Sequence, residues 1–270
     1  MRETHGEMGN LSPRGRHAHV YINGRYWGVY IIHERIDDEY GEAHLGGDEL
    51  DYDAINTGGS VVDGTKTDWS AVQAMADAGL ASGASYQAIL AELNIQSLVD
   101  NMILRIWAGE VDWLKSANTP PTGNRNKNWY ALRKTRNGSL GWEFFVWDAE
   151  HSMGKSHSRN RIANYDITDV DIADSPGRLY AKLKENAEFR LLFADRLHEH
   201  FFNDGVMVPV SNQARWNALS AQVQDAVVAE SARWGDAIRG APYTRDVEWQ
   251  DEVDWVCLLY TSPSPRDSGK

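Results

Sequence analysis

The segments VDW (111–113), NKNWYALRK (126–134) and WEFFVWDAEHSMG (142–154) decide the reading of this chain. Trp129 to Lys134 and Trp142 to Trp147 are rich in aromatic and β-branched residues, the composition of strands. Between them lies Thr135-Arg136-Asn137-Gly138-Ser139, and Asn-Gly is the strongest short hairpin signal. A hairpin centred near Asn137 and Gly138 sets Asn128 almost opposite Asp148. Residues facing each other across an antiparallel ladder lie about 4.5–5.5 Å apart. An amide oxygen and a carboxylate then converge at the open end of the hairpin, with Asp112 arriving from just upstream.

Working outward, Ala18 to Ile22 and Tyr26 to Glu34 form an earlier hairpin around Asn23-Gly24. Its second strand carries apolar groups on both faces, which predicts burial on both sides. Residues 35–65 are acidic and turn-rich, so irregular structure with short strands is expected. The run Asp48-Glu49-Leu50-Asp51-Tyr52-Asp53 lacks the spacing of an EF-hand loop and reads as a solvated acidic loop. Short helices are expected over Asp68–Ala78 and Ser85–Leu93. A stronger one follows, with Ile95, Leu98, Val99, Met102, Ile103 and Ile106 on one stripe. Asn94 suits its N-cap and Gly109 its end, which leaves Asp112 in the following loop. The C-terminal third predicts helices over Ala187–Phe202 and Asn212–Ile238. The fold class is therefore α+β, hairpins first and then a mainly helical part.

The 270 residues carry a formal charge of −12 and eleven tryptophans. That charge argues against nucleic-acid partners. No apolar run reaches the ~20 residues of a membrane helix, and no signal peptide is visible at Met1. The single cysteine, Cys257, excludes an internal disulfide and a thiolate metal cluster. Residues 256–270 include TSPSPRDSG, which has no apolar periodicity and reads as a disordered, adapter-derived tail. The domain proper is expected over residues 1–255, truncated at its N-terminus.

The tryptophans Trp107, Trp113, Trp129, Trp142 and Trp147 read as core packing around the hairpins. An exposed aromatic platform would point instead to a carbohydrate-binding domain. His198 and His200 are two apart and point about 200° apart on a helix, so they read as surface residues and not a zinc pair. His151, Lys155, His157, Arg159 and Arg161 form a basic patch that reads as a solvated loop. No Gly-x-Ser-x-Gly elbow and no Cys-His pair supports hydrolase chemistry.

Phosphoryl transfer requires carboxylate and amide oxygens for magnesium and a carboxylate to receive a hydroxyl proton. Asp112, Asn128, a hairpin, Asp148 and Gly154 follow the order in which protein kinases present these parts. The Asp112–Asn128 spacing is longer than in ordinary kinases, with Leu114 to Lys127 read as an inserted loop. YINGRYWGVYIIHE (21–34), VDW (111–113), KNWYALR (127–133) and WDAEHSMG (147–154) together resemble the CotH kinase family, in family order over about residues 8–250. The resemblance implies a divergent kinase-like fold, and ATP with Mg²⁺ or another divalent metal as cofactors. It also implies protein substrates with serine acceptors, placed outside the cell or at its surface. By it, Asp112 is the catalytic base, Asp148 and Asn128 are metal ligands, and Glu34 supports the nucleotide. Glu150 joins the metal ligands where the family often has a second aspartate. No lysine stands in the family's phosphate-gripping place. Lys66 or a residue upstream of Met1 fills that role, and Gly58-Gly59 is not a phosphate loop. The alternative is a catalytically degenerate surface or coat assembly module of the same fold.

Overall fold

The structure is a computed structural model, and it describes residues 1–115, 125–153 and 168–261. In chain order the elements are α1 (Arg2–Glu7), β1 (Gly15–Ile22), β2 (Arg25–His33), α2 (Asp38–Leu45), β3 (Tyr52–Asn56), β4 (Ser60–Asp63), α3 (Thr67–Ala78), α4 (Gly83–Leu90) and α5 (Ile95–Ala108). There follow β5 (Leu114–Lys115), β6 (Arg125–Asn126), β7 (Trp129–Lys134), β8 (Glu143–Val146), α6 (Pro176–Leu183), α7 (Ala187–Phe201), α8 (Pro209–Val223), α9 (Ala226–Trp234) and α10 (Gln250–Thr261). Helices and antiparallel strands together make the fold α+β. The chain divides into two units, residues 1–13 with 34–199, and residues 14–33 with 200–270.

The first unit is built on an antiparallel sheet of order β4-β3-β7-β8. β7 runs against β8 with Trp129 facing Val146 and Leu132 facing Glu143. That register centres the connection between Asn137 and Gly138, both at positive φ (53° and 102°). Extended by one step, it sets Asn128 opposite Trp147, one residue short of Asp148. All six residues of β7 are buried, because both faces of the sheet are covered. On one face Trp129 stacks on Trp69 (5.4 Å), which meets Trp142 edge-on. On the other face Tyr130 and Leu132 join Ile36, Tyr40, Tyr52 and Phe145 in an apolar cluster. Trp113, Trp129 and Trp142 are buried, as core packing requires.

Helix α5 begins where Asn94 Oδ1 accepts the Ser97 N–H (3.1 Å) and ends at Gly109 in the left-handed conformation (φ 64°). Its burial goes beyond the expected stripe, since Asp100, Asn101 and Arg105 are also buried. Two ion pairs make that possible. Arg196 of α7 donates from Nε and Nη2 to the two oxygens of Asp100 (2.9 and 2.5 Å). Arg105 pairs with Glu110 inside the unit. Charged groups are found at such depth when they are paired. Asp48 accepts the Leu50 N–H (3.0 Å), while Asp53 accepts from Thr65 N–H (2.7 Å). Part of the acidic run thus serves as local caps, with Asp51 and Asp53 buried.

In the second unit β1 and β2 pair from Gly15–His33 to Ile22–Arg25, with Asn23 and Gly24 both at positive φ (50° and 78°). The burial expected on both faces of β2 is not found. Tyr30, Ile31 and Ile32 are 47–56% exposed, because among the described residues this sheet has two strands and α9 covers part of it. The covered part is specific: Trp27 meets Trp234 edge-on, and Glu230 accepts the Val29 N–H (2.8 Å). The single helix expected over 212–238 is two, α8 and α9. Between them the ladder tightens at Asp225, whose carbonyl takes Val228 N–H at 3.4 Å. His198 is exposed, but His200 is buried, since the two rings point apart and only one faces solvent. Where the sequence predicts a structureless tail from 256, α10 continues through Thr261 and Val256 is buried. Residues 262–270 lie outside the described residues. No described helix is long and apolar enough to cross a membrane.

Candidate functional site

The site lies in the first unit, at the end of the sheet where β7 begins and β8 finishes. After Gly109 the chain turns through Glu110, Val111 and Asp112. The Val111 N–H donates to His151 O (3.0 Å) and Met153 N–H to Ala108 O (2.7 Å). The segment after Asp148 is thereby stitched alongside the one leading to Asp112. The predicted insertion between Asp112 and Asn128 is closed at its base by β5 and β6, with Leu114 facing Asn126. This ribbon returns the chain so that Asn128 Nδ2 donates to the Asp112 carbonyl (2.8 Å). The bond holds the Asn128 amide by its nitrogen.

Arg105 supports both strand ends from below. Nη1 bonds Glu110, while Nη2 donates to the carbonyls of Asn128 (2.5 Å), Trp147 (3.4 Å) and Phe145 (3.4 Å). One guanidinium nitrogen therefore joins Asn128 to the residue preceding Asp148. Its plane lies over Trp113, 4.7 Å from the ring centre. Burial raises the Glu110 carboxyl to about 7 against the pull of Arg105, and Glu150 and Asp112 add to the rise.

Asp148 and Glu150 are both exposed and close to one another. Partial burial, and next a hydrogen-bond contact with Asp148, raise the Glu150 carboxyl; Asp112 contributes as well. His151 Nε2 is 3.2 Å from Glu150 Oε1. The Asp112 carboxylate is approached at Oδ1 by Arg125 Nη1 (2.5 Å) and Lys127 Nζ (3.9 Å). Asn128 and Asp148 both hold left-handed backbone (φ 59° and 48°), a conformation Asn and Asp tolerate better than other non-glycine residues.

A second cluster adjoins the first through the β3–β4 turn. Thr57 Oγ1 accepts the Asn128 N–H (3.2 Å). Two residues on, Gly59 (φ 69°) sits so close to Asp174 that a Cβ would overlap its carboxylate. Asp174 pairs with Lys66, and its other oxygen accepts Trp69 Nε1–H (2.7 Å).

Of the sequence-predicted residues, the structure joins Asp112 to Asn128 and Asp148 to Glu150, with Arg105 between the two pairs. Lys66 stands beside the glycine turn. Glu34 meets His44 of α2 at 3.0 Å. Arg133 pairs with Glu92 (2.6 Å) and Asp68 (3.6 Å). Of the basic patch, Lys155, His157, Arg159 and Arg161 lie outside the described residues. Sequence reasoning missed Arg105, Glu110, Arg125 and Asp174. For Arg105 there was a signal, a lone cation within the apolar run 102–108 that ends the helix and an acid just past its glycine stop.

Among the described residues no three His, Cys, Asp or Glu side chains form a ready metal cluster. The available donors are two neighbouring carboxylates and the Asn128 amide oxygen, hard oxygen ligands of the kind magnesium takes.

No curated protein matches the chain. The family model described as CotH kinase protein matches residues 5–259. An antiparallel sheet followed by helices, with acid and amide groups at the sheet's end, fits the kinase-like fold of that family. The chain belongs to the CotH kinase family.

Proposed function

We propose that this protein transfers the terminal phosphoryl group of ATP, with a divalent metal, to serine hydroxyls of secreted, coat or cell-surface proteins. The observation that carries the reading is the Arg105 nitrogen shared by the Asn128 and Trp147 carbonyls. It ties the backbone of Asn128 to that of Trp147, next to Asp148, which supports reading the Asn128 amide and the Asp148 and Glu150 carboxylates as one site beside Asp112. Asp148, Glu150 and Asn128 Oδ1 would hold the metal, which neutralises charge on the phosphates when bound. Both cations near Asp112 address Oδ1. Among the described residues Oδ2 is left to take the proton of a serine hydroxyl. Arg125 and Lys127 then lie where negative charge develops during transfer. Lys66 is the lysine for the nucleotide phosphates.

A scaffold of the same family without turnover is favoured by Glu150, which stands in for an aspartate and is engaged by His151. Calorimetric titration of ATP with and without magnesium separates the two readings. The proposal expects magnesium-dependent binding that Asp148→Asn abolishes at unchanged melting temperature. Wild-type binding retained in full by Asp148→Asn refutes it, and no binding by the wild type favours the scaffold.

A further inference from the structure

Asp174 had no role in the sequence reading, yet every polar group it carries is engaged. Its carboxylate takes Lys66 on Oδ2 and Trp69 Nε1–H on Oδ1. Its N–H donates to Gln73 Oε1 (3.2 Å), and its carbonyl accepts from Asn126 Nδ2 (3.2 Å). It holds left-handed backbone at φ 59° and is pressed against Gly59. Four segments thus meet on one residue: α3, the β3–β4 turn, β6 and the approach to α6. Two of them lead to the metal-ligand candidate, since Asn126 precedes Asn128 by two residues and Thr57 holds the Asn128 N–H. Trp69 is fully buried and stacks on Trp129, which makes the carboxylate's other anchor rigid. The pair itself is open, with the side chains of Lys66 and Asp174 35% and 36% exposed. A lysine has four flexible bonds and is useful to a phosphate only when something aims it.

We propose that Asp174 is the positioning residue for Lys66, holding the ammonium at the glycine turn where it meets the phosphates of the bound nucleotide. The proposal rests on the phosphotransfer reading above. The Asp174 carboxylate is bonded to the Trp69 indole and packed on Gly59, and its backbone is held by Asn126 and Gln73, so Asp174 cannot follow Lys66 and holds the ammonium at its own position.

The test uses Asp174→Asn and Lys66→Gln. Asparagine tolerates left-handed backbone and keeps an oxygen for Trp69, but presents an NH₂ to Lys66. Magnesium-ATP affinity is measured by calorimetry for wild type, each variant and the pair. In parallel, lysines are reductively ¹³C-methylated and the Lys66 signal is followed by NMR. Each single variant should weaken binding about tenfold, the loss of one charged contact. The double variant should lose no more than the worse single one, as expected for residues acting as a unit. In Asp174→Asn the Lys66 resonance should shift toward that of a free lysine. Unchanged affinity in Asp174→Asn, additive losses, or an unmoved Lys66 signal each overturn the proposal. A wild type that binds no magnesium-ATP overturns it along with the phosphotransfer reading. A wild type that binds, loses binding in Asp148→Asn and keeps it in Asp174→Asn overturns the positioning role alone.

Discussion

Replacing Arg105 with methionine is the sharpest perturbation the site allows. The variant keeps an apolar stem of similar length and removes the guanidinium. Two charge-assisted hydrogen bonds disappear, to Glu110 and to the Asn128 carbonyl at 2.5 Å. Each is worth about 1.5–3 kcal/mol. Breaking a buried pair by removing one partner costs about 3–5 kcal/mol. The two routes agree on a loss of about 4 kcal/mol, a large part of the roughly 5–15 kcal/mol that stabilises a domain. The loss must also depend on pH. In the wild type, burial raises Glu110 from 4.5 to about 7. A carboxyl so raised favours the fold below 4.5, and that contribution disappears as pH rises through about 7. Without Arg105 the folded-state value rises further, so above pH 7 the variant holds a proton that the wild type has released. Its deficit should then grow by about 1.4 kcal/mol for each further pH unit, up to its own folded-state value. Urea unfolding at pH 6, 7, 8 and 9 measures this. The double variant Arg105→Met/Glu110→Met should lack this growing deficit above pH 7 and recover part of the stability. A loss under about 1 kcal/mol, or one that ignores pH in the single variant, would refute the account of Arg105 as the partner of a buried acid.

Three further outcomes follow from the same structure. Gly59→Ala should lose about 1–3 kcal/mol from its left-handed backbone alone, and its Cβ should displace Asp174; the urea midpoint and magnesium-ATP affinity should fall together. Burial lowers His5 from 6.5 to about 4, with Asp100 opposing and Arg105 assisting. Its stabilising contribution is present above pH 6.5 and lost as pH falls toward 4, about 3 kcal/mol in all. Measured as wild type minus His5→Gln, so that the opposite slope of Glu110 cancels, the advantage should shrink across that window; a constant difference would contradict it. Asp112→Asn should leave magnesium-ATP binding near wild type while abolishing phosphate transfer to serine, read with labelled ATP and candidate acceptor proteins; retained transfer would remove Asp112 from the role of base.

The parts of the fold that local chemistry specifies were legible. Asn94 and Gly109 bounded α5 because a cap and a left-handed stop act within one turn. Asn137-Gly138 centred the β7–β8 register, which is why Asn128 and the neighbourhood of Asp148 were found together. Burial was misread where it depends on partners that lie far off in sequence. β2 has the composition of a strand covered on both faces, yet nothing in its residues says how many strands its sheet will hold. His200 carries no mark of the side on which it will be buried. Asp174 was invisible for the same reason: it lies 105 residues from Trp69 and 108 from Lys66, and no spacing rule reaches that far.

Asn128, Asp148 and Asp174 share left-handed backbone with φ between 48° and 59°. Shape and chemistry therefore draw on the same short list of side chains at all three places. Asparagine and aspartate accept the conformation and supply the oxygens; glycine accepts it and supplies nothing. A change to glycine at Asp148 would remove the proposed metal ligand without straining the chain. On the proposed phosphotransfer function, the shortest path to an inert scaffold is a single substitution that the fold would not register.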